Sequence, residues 1–122
     1  MRRALIGVIY LGLLLVAQAE HRSVGELLSN ADRLHGQPVV VNGTMTNIRE
    51  IVSHRGYRRY SFDLTDGTQT VKVLAYDVPP CRSGPVELEG VFEQGKREGR
   101  VGYDKVIASS VVCLSDRPKK SG

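Results

Sequence analysis

The stretch "RGYRRYSFDLTDGTQTVKVLAYD", residues 55–77, decides the fold because it has the pattern of a β-hairpin. Apolar and polar side chains alternate over 60–65 and again over 71–76, which predicts two strands that each bury one face. Between them, Asp66-Gly67 is a dipeptide typical of tight hairpin turns. The hairpin also carries several Arg, Lys and Tyr residues. It therefore forms either a solvated sheet face or a surface for an anionic, planar ligand.

Strand patterning continues on both sides of this hairpin. Alternation over 39–46 predicts one strand before it, and residues 86–92 and 101–114 predict two more after it. Gly43 and Gly90 interrupt the first and fourth strands, where glycine suits a sharp bend or a close backbone approach. We therefore expect a mainly β domain over 37–114, with five strands that curl into a closed barrel.

The segment before the first strand has helical rather than alternating periodicity. Ser23 and Glu26 match a capping box, in which the hydroxyl and the carboxylate each bond a free backbone N–H. Gly36 supplies a left-handed stop, and Pro38 prevents the helix from continuing. This pattern predicts a short amphipathic helix over 20–36 that covers the core.

The two ends of the chain have the composition of processing and tail segments. Residues 1–19 combine Arg2 and Arg3, an apolar run and a small-residue "AQA" site, which together indicate a signal peptide. The apolar run is shorter than the about 20 residues that a membrane-spanning helix needs. We therefore expect cleavage after Ala19, export to the periplasm or the medium, and no membrane span afterwards. The polar segment 115–122 is predicted to be a disordered tail.

The net charge bears on the class of ligand, and the cysteine content bears on whether the domain contains a disulfide. Removal of Arg2 and Arg3 from 17 basic and 13 acidic residues leaves a net charge of about +2, so only local clustering favours a polyanionic ligand. The chain has two cysteines, Cys81 and Cys113, and an even count in an exported domain favours a disulfide. Two free thiols are the alternative.

Several of these strand-and-turn patterns occur together in one known group. The chain resembles exported bacterial OB-fold proteins, which are oligonucleotide/oligosaccharide-binding barrels, in "VVVNG" at 39–43, "YSFDLTDGT" at 60–68, "VKV" at 71–73 and "VELEG" at 86–90. The resemblance implies a five-stranded Greek-key barrel. It departs from many such barrels at 77–85, where Pro and Gly prevent the helix that often joins the third and fourth strands.

The resemblance also implies where a ligand would bind. Ligands of OB barrels lie across the second and third strands, between the loop after the first strand and the loop before the fifth. Basic and tyrosine residues fall in these segments, and we predict a binding face from Arg55, Tyr57, Arg58, Arg59, Lys72, Tyr76, Lys96, Arg97 and Arg100. Tyr57 and Tyr76 are the expected stacking residues, whereas Tyr60 is expected in the core.

Three interpretations of this face stay open. Single-stranded nucleic acid fits arginines that meet phosphates and tyrosines that stack on bases. An envelope protein or peptide could occupy the same groove without any nucleic-acid role. Cationic side chains on a strand surface also occur simply as solvated residues that discourage edge pairing. No phosphate loop, metalloprotease motif or nucleophile elbow is present in the sequence, so we expect a non-enzymatic protein without a cofactor or metal.

Overall fold

The computed structural model describes residues 21–95 and 103–114. Strands dominate this part of the chain. The elements are strand β1 (His21–Ser23), helices α1 (Val24–Ser29) and α2 (Ala31–Leu34), and strands β2 (Pro38–Val52), β3 (Arg58–Thr65), β4 (Thr70–Tyr76), β5 (Gly84–Glu93) and β6 (Lys105–Cys113). The predicted signal peptide at 1–19 and the predicted tail at 115–122 lie outside the described residues.

The five long strands form a closed barrel. Hydrogen bonding runs in the order β2-β3-β4-β6-β5, and β5 pairs in turn with β2. The β4–β6 pair is parallel, while the other pairs of the ring are antiparallel. This Greek-key connectivity is that of an OB-fold barrel, and it confirms the predicted fold class. β1 adds a short parallel strand beside β2.

The barrel interior holds the side chains that the alternating pattern assigns to the buried face. Phe62, Leu64 and Val73 have no exposed surface, and Tyr60 retains only 3% exposure, so its predicted place in the core is confirmed. Complete burial of each such side chain contributes roughly 1.5–3 kcal/mol to folding. Because these residues point inward, the residues between them along β3 and β4 point outward.

Close packing explains both strand glycines. A Cβ atom added at Gly90 would lie 2.2 Å from the carbonyl oxygen of Ile107 on β6, and one at Gly43 would lie 2.8 Å from Leu64 Cγ. The β5–β6 register also shifts between Glu89 and Gly90, which marks a bulge. Glycine therefore lets the sheet bend and the strands approach where the barrel closes.

The N-terminal helical segment covers one end of the barrel. The predicted capping box is present between Ser23 and Glu26, and Leu27 is fully buried. The structure divides the predicted single helix at Asn30, whose side chain donates to the Glu26 carbonyl and interrupts the helical ladder. α1 lies beside the β3–β4 turn, where the Gly25 N–H donates to Asp66 Oδ2 over 2.9 Å.

The other end of the barrel is spanned by a connection without a helix. This connection, residues 77–83, begins at the end of β4. The end of β4 lies about 20 Å from the β3–β4 turn, since a strand rises about 3.3 Å per residue. Cys81 in this connection forms a disulfide with Cys113 at the end of β6, with a Cα–Cα distance of 6.3 Å. The predicted disulfide is therefore confirmed, and it fixes the connection against the barrel. In residues 21–95 and 103–114, no helix is long and apolar enough to cross a membrane.

Candidate ligand-binding groove

A groove of about 470 Å³ lies on the outer face of the barrel, where the second half of β2 meets β3, β4 and the start of β6. Four cationic side chains line it: Arg49, Arg59, Lys72 and Lys105. Uncharged side chains from the same strands complete it: Ile51, Ser61, Leu74 and Tyr103. The groove therefore combines positive charge with aliphatic and aromatic surface.

The strand register explains why these residues come together. Arg49 is opposite Ser61, which is in turn opposite Leu74, so one row of outward side chains crosses three strands. Ile51 and Arg59 are partners in the next row. On β6, Lys105 is the parallel partner of Lys72.

A bulge in β2 determines which side chains of its second half face outward. Asn47 adopts a left-handed conformation, with φ 53°, and the β2–β3 register shifts between Thr46 and Arg49. Met45 faces the core before this bulge. Beyond the bulge the alternation is displaced by one residue, and Arg49 and Ile51 line the outer groove.

The four cations of the groove differ in their partners. Lys72 Nζ lies 2.7 Å from Asp63 Oδ1. Hydrogen bonds from Lys72 and then from Asn47 lower the pKa of Asp63, so that this carboxylate stays ionised. Lys105 Nζ lies 3.6 Å from Glu93 Oε1. Among the described residues no carboxylate forms an ion pair with Arg49 or Arg59. The two arginines therefore carry the charge that is most available to an anionic ligand.

Tyr103 is the aromatic side chain of the groove. Its side chain is 62% exposed, and Lys105 Nζ lies 5.7 Å from its ring centroid. The next residue, Asp104, fixes the backbone beside Tyr103 through two hydrogen bonds. Asp104 Oδ1 accepts the Gly95 N–H over 2.8 Å, and the Asp104 carbonyl oxygen accepts the Lys72 N–H over 3.4 Å. Both ends of the β5–β6 connection are thus held beside β4, with Tyr103 at the groove.

The structure distributes the sequence-predicted site residues over several places. Arg59 and Lys72 line the groove. Tyr76 is the β4 partner of Arg59 but borders a separate cavity. Arg58 precedes Arg59 on the same strand, so its side chain leaves the opposite side of the sheet. Lys96, Arg97 and Arg100 lie outside the described residues, within the connection whose ends meet at Gly95 and Tyr103.

The remaining two predicted residues, Arg55 and Tyr57, lie in the tight β2–β3 connection. A backbone bond from Ser53 N to the Tyr57 carbonyl closes this loop over 2.9 Å, and Gly56 occupies its left-handed position with φ 87°. Tyr57 is 70% exposed. Neither Arg55 nor Tyr57 lines the groove.

Sequence reasoning missed Arg49, Ile51 and Lys105, and it left Tyr103 unassigned. The predicted first strand covers only 39–46, whereas β2 continues to Val52. The alternating "IREIV" at 48–52 is a strand signal, but the bulge at Asn47 hides its phase relative to 39–46. No sequence signal places Tyr103 and Lys105 on this face, since their position depends on the parallel β4–β6 pair.

The closed five-stranded barrel is that of an OB-like fold, and its outer groove is basic and partly aromatic. A comparison with models of known protein families gave no match to this chain, and a search of curated proteins gave none either. Within residues 21–95 and 103–114, no three His, Cys, Asp or Glu side chains are grouped so that they could hold a metal ion. The chemistry that the groove offers is the binding of anionic groups and flat rings.

Proposed function

We propose that this chain is an exported OB-fold binding module whose groove holds single-stranded nucleic acid. The observation that carries the proposal is the pair Arg49 and Arg59 in one groove, neither of which forms an ion pair with a carboxylate among the described residues, next to the exposed ring of Tyr103. Guanidinium groups bind phosphates, often through two hydrogen bonds, and an aromatic side chain stacks on a base. The groove therefore contains both guanidinium groups that can bind phosphates and an aromatic ring that can stack on a base.

The β5–β6 connection extends this argument to three further cations. Lys96, Arg97 and Arg100 belong to a segment whose two ends are held beside the groove through Asp104. The OB-fold topology directs ligands to the outer face of β3 and β4 and to the flanking connections. A phosphate backbone that crosses β3 and β4 would reach the two described ends of this connection, at Gly95 and Tyr103.

The proposed location is the bacterial periplasm or the external medium. The Cys81–Cys113 disulfide indicates a non-reducing environment, since the cytosol keeps most thiols reduced. The signal-like sequence at 1–19 and the resemblance to exported bacterial OB-fold proteins support the same placement. Intact mass spectrometry of protein exported by a bacterial host tests it, and a mature chain that begins at Glu20 is the expected result.

A second candidate, an envelope protein or peptide in the same groove, is favoured by a different observation. Ile51 is 40% exposed in the groove and Leu74 lines it as well, so apolar side chains have a surface to contact. Lys72 and Lys105 already have carboxylate partners, which reduces the positive charge. The affinity for such a ligand would depend on these apolar side chains and would change little with the salt concentration.

Fluorescence anisotropy with a labelled single-stranded oligonucleotide at two salt concentrations tests the proposed function. Binding should weaken as salt increases, because each phosphate contact to a single strand contributes about −0.7 to the slope of log K against log [salt]. Arg59→Ala should weaken binding and reduce this slope. Arg33→Ala removes the same charge from α2 and serves as the matched control, with binding unchanged.

Two outcomes would overturn the nucleic-acid assignment. One is negligible oligonucleotide binding at both salt concentrations. The other is equal loss of affinity in Arg59→Ala and Arg33→Ala, which would mean that only the net charge of the protein matters. If oligonucleotides fail and a peptide ligand is sensitive to Leu74→Ser, the second candidate replaces the first.

A further inference from the structure

A second cavity, of about 330 Å³, lies at the end of the barrel that the helices do not cover. Tyr76, Val78 and Pro80 form one wall, where the chain leaves β4, and Ser110 of β6 lies on another. Tyr60 lines the cavity from the barrel interior. The volume is near the lower end of the range of about 300–1,000 Å³ for small-molecule sites, so the cavity suits one small group.

Tyr60 brings a buried polar group to this cavity. The residue is only 3% exposed, and within residues 21–95 and 103–114 its hydroxyl has no hydrogen-bond partner. A buried hydroxyl without a hydrogen-bond partner is unfavourable. A ligand group that exchanged a hydrogen bond with Tyr60 would recover part of this cost.

Asp77 supplies a carboxylate to the same cavity. Its backbone has a left-handed conformation, with φ 72°, and its N–H donates to the Arg58 carbonyl over 2.9 Å, which fixes its position. No described cation forms an ion pair with it. Burial, and secondly the charge of Asp77, raise the pKa of Tyr60, so the phenol keeps its proton.

The wall of the cavity is held in place before any ligand arrives. The Cys81–Cys113 disulfide ties the connection that carries Val78 and Pro80 to the end of β6. Val78 is 59% exposed and Tyr76 is 57% exposed, so both offer apolar surface at the rim. A fixed wall reduces the ordering cost of binding.

We propose that this cavity, named here the mouth site, binds an aliphatic primary ammonium group such as that of a lysine side chain or a free alkylamine. The ammonium donates to the Asp77 carboxylate and to Tyr60 Oη, both of which can accept. Its aliphatic stem lies against Val78 and Pro80, and the Tyr76 ring attracts the cation. The mouth site is independent of the nucleic-acid groove, since it binds the opposite charge at different residues.

The test is an NMR titration of the mature chain with two probes, N-acetyl-lysine methylamide and the uncharged N-acetyl-norleucine methylamide. The lysine probe should bind saturably and shift the backbone amides of 76–78 and 108–111. The norleucine probe should bind at least about tenfold more weakly, since it cannot donate a charged hydrogen bond to Asp77. Equal binding of the two probes would contradict the proposal.

Matched variants assign the contacts. Asp77→Asn should lower the affinity for the lysine probe about tenfold, whereas Asp32→Asn, which removes the same charge from α2, should leave it unchanged. Tyr60→Phe should lower the affinity several-fold while the melting temperature stays the same or rises, because the lost hydroxyl has no described protein partner. Equal effects of Asp77→Asn and Asp32→Asn, or full affinity in Tyr60→Phe, would overturn the mouth site.

A third probe, n-butylammonium, separates the two sources of the ligand. If it binds as tightly as the lysine probe, the mouth site takes free alkylamines, which supports the proposal in its simplest form. If it binds much more weakly while the lysine probe still depends on Asp77, the site takes a side chain of a polypeptide. If neither ammonium probe shifts the amides of the mouth site, the proposal is wrong, whatever the groove binds.

Discussion

Asp66 Oδ2 accepts a hydrogen bond from the backbone N–H of Gly25 over 2.9 Å, which joins the β3–β4 turn to the first helix. Asp66 Oδ1 accepts the N–H groups of Thr68 and Gln69 within the turn, each over 2.9 Å. One carboxylate therefore fixes the turn and holds the helix over the end of the barrel.

The ionisation of Asp66 should make stability depend on acid pH. The backbone hydrogen bonds from Gln69 and Thr68 lower its pKa from 3.8 to about 2. Because the folded pKa lies below the ordinary value, its stabilisation is complete above about pH 4 and is lost as the pH falls toward 2. Melting temperatures of wild type and Asp66→Asn should therefore differ most at neutral pH and converge near pH 2. A constant difference from pH 6 to pH 2 would contradict this role.

Substitution of Gly90 should severely destabilise the barrel. In Gly90→Ala the new Cβ would lie 2.2 Å from the Ile107 carbonyl oxygen and 2.7 Å from Ala108 Cα, and backbone atoms cannot yield as a flexible side chain does. We expect a loss of at least about 2 kcal/mol in the free energy of unfolding, measured by urea denaturation. Glu89→Ala changes the exposed neighbour and is the control, with little effect. Similar stabilities of the two variants would show that the β5–β6 bulge tolerates a side chain.

Arg49 and Arg58 should differ in their effect on oligonucleotide binding. Arg49 lines the groove, whereas Arg58 leaves the other side of β3. Arg49→Ala should reduce the salt slope by about 0.7, the value for one phosphate contact to a single strand. Arg58→Ala should leave the slope unchanged. Anisotropy titrations at several salt concentrations measure both, and the reverse order would place the ligand outside the groove.

Tyr103 should be the stacking residue of the groove. Replacement of the ring in Tyr103→Leu should weaken oligonucleotide binding by about 1–3 kcal/mol, the contribution of one stacked base. The change should appear in affinity while the salt slope stays the same. Tyr57→Leu removes another exposed ring, from the β2–β3 connection, and is expected to have little effect. Greater loss in Tyr57→Leu would move the stacking position to the tip of that hairpin.

Reduction of the disulfide should lower stability without changing the fold class. Cys81 and Cys113 are 32 residues apart, and cross-linking a loop of that size stabilises the folded state by about 4 kcal/mol in the chain-entropy model. The double variant Cys81→Ser and Cys113→Ser should unfold at correspondingly lower urea concentration and retain its β-sheet circular dichroism. An unchanged midpoint would show that the disulfide does not constrain the unfolded chain as assumed.

Much of the barrel could be predicted because its signals are local. Alternation at 60–65 and 71–76, the Asp66-Gly67 turn and the Ser23–Glu26 capping box each depend on residues a few positions apart. The predictions from them are confirmed, as is the use of Gly90 where backbones approach closely. Such local patterns predict strands and helices because the period of side-chain directions in each element follows from its backbone geometry.

The composition of the groove could be predicted only in part. Arg59 and Lys72 follow from alternation, once the outer face of β3 and β4 is taken as the ligand face. Arg49 was missed because the Asn47 bulge displaces the pattern by one residue, and an inserted residue leaves no reliable trace in composition. Lys105 was missed and Tyr103 was left unassigned because a parallel pair joins strands that are distant in sequence.

The sequence by itself determined most of the strand positions, the Asp66-Gly67 turn and the helix cap, because each depends on the preferences of neighbouring residues. Only the tertiary structure decided that Arg49, Arg59 and Tyr103 share one groove and that Tyr60 and Asp77 share another cavity. The physical reason is barrel closure, in which strand register and a single bulge place side chains from distant segments within reach of one another.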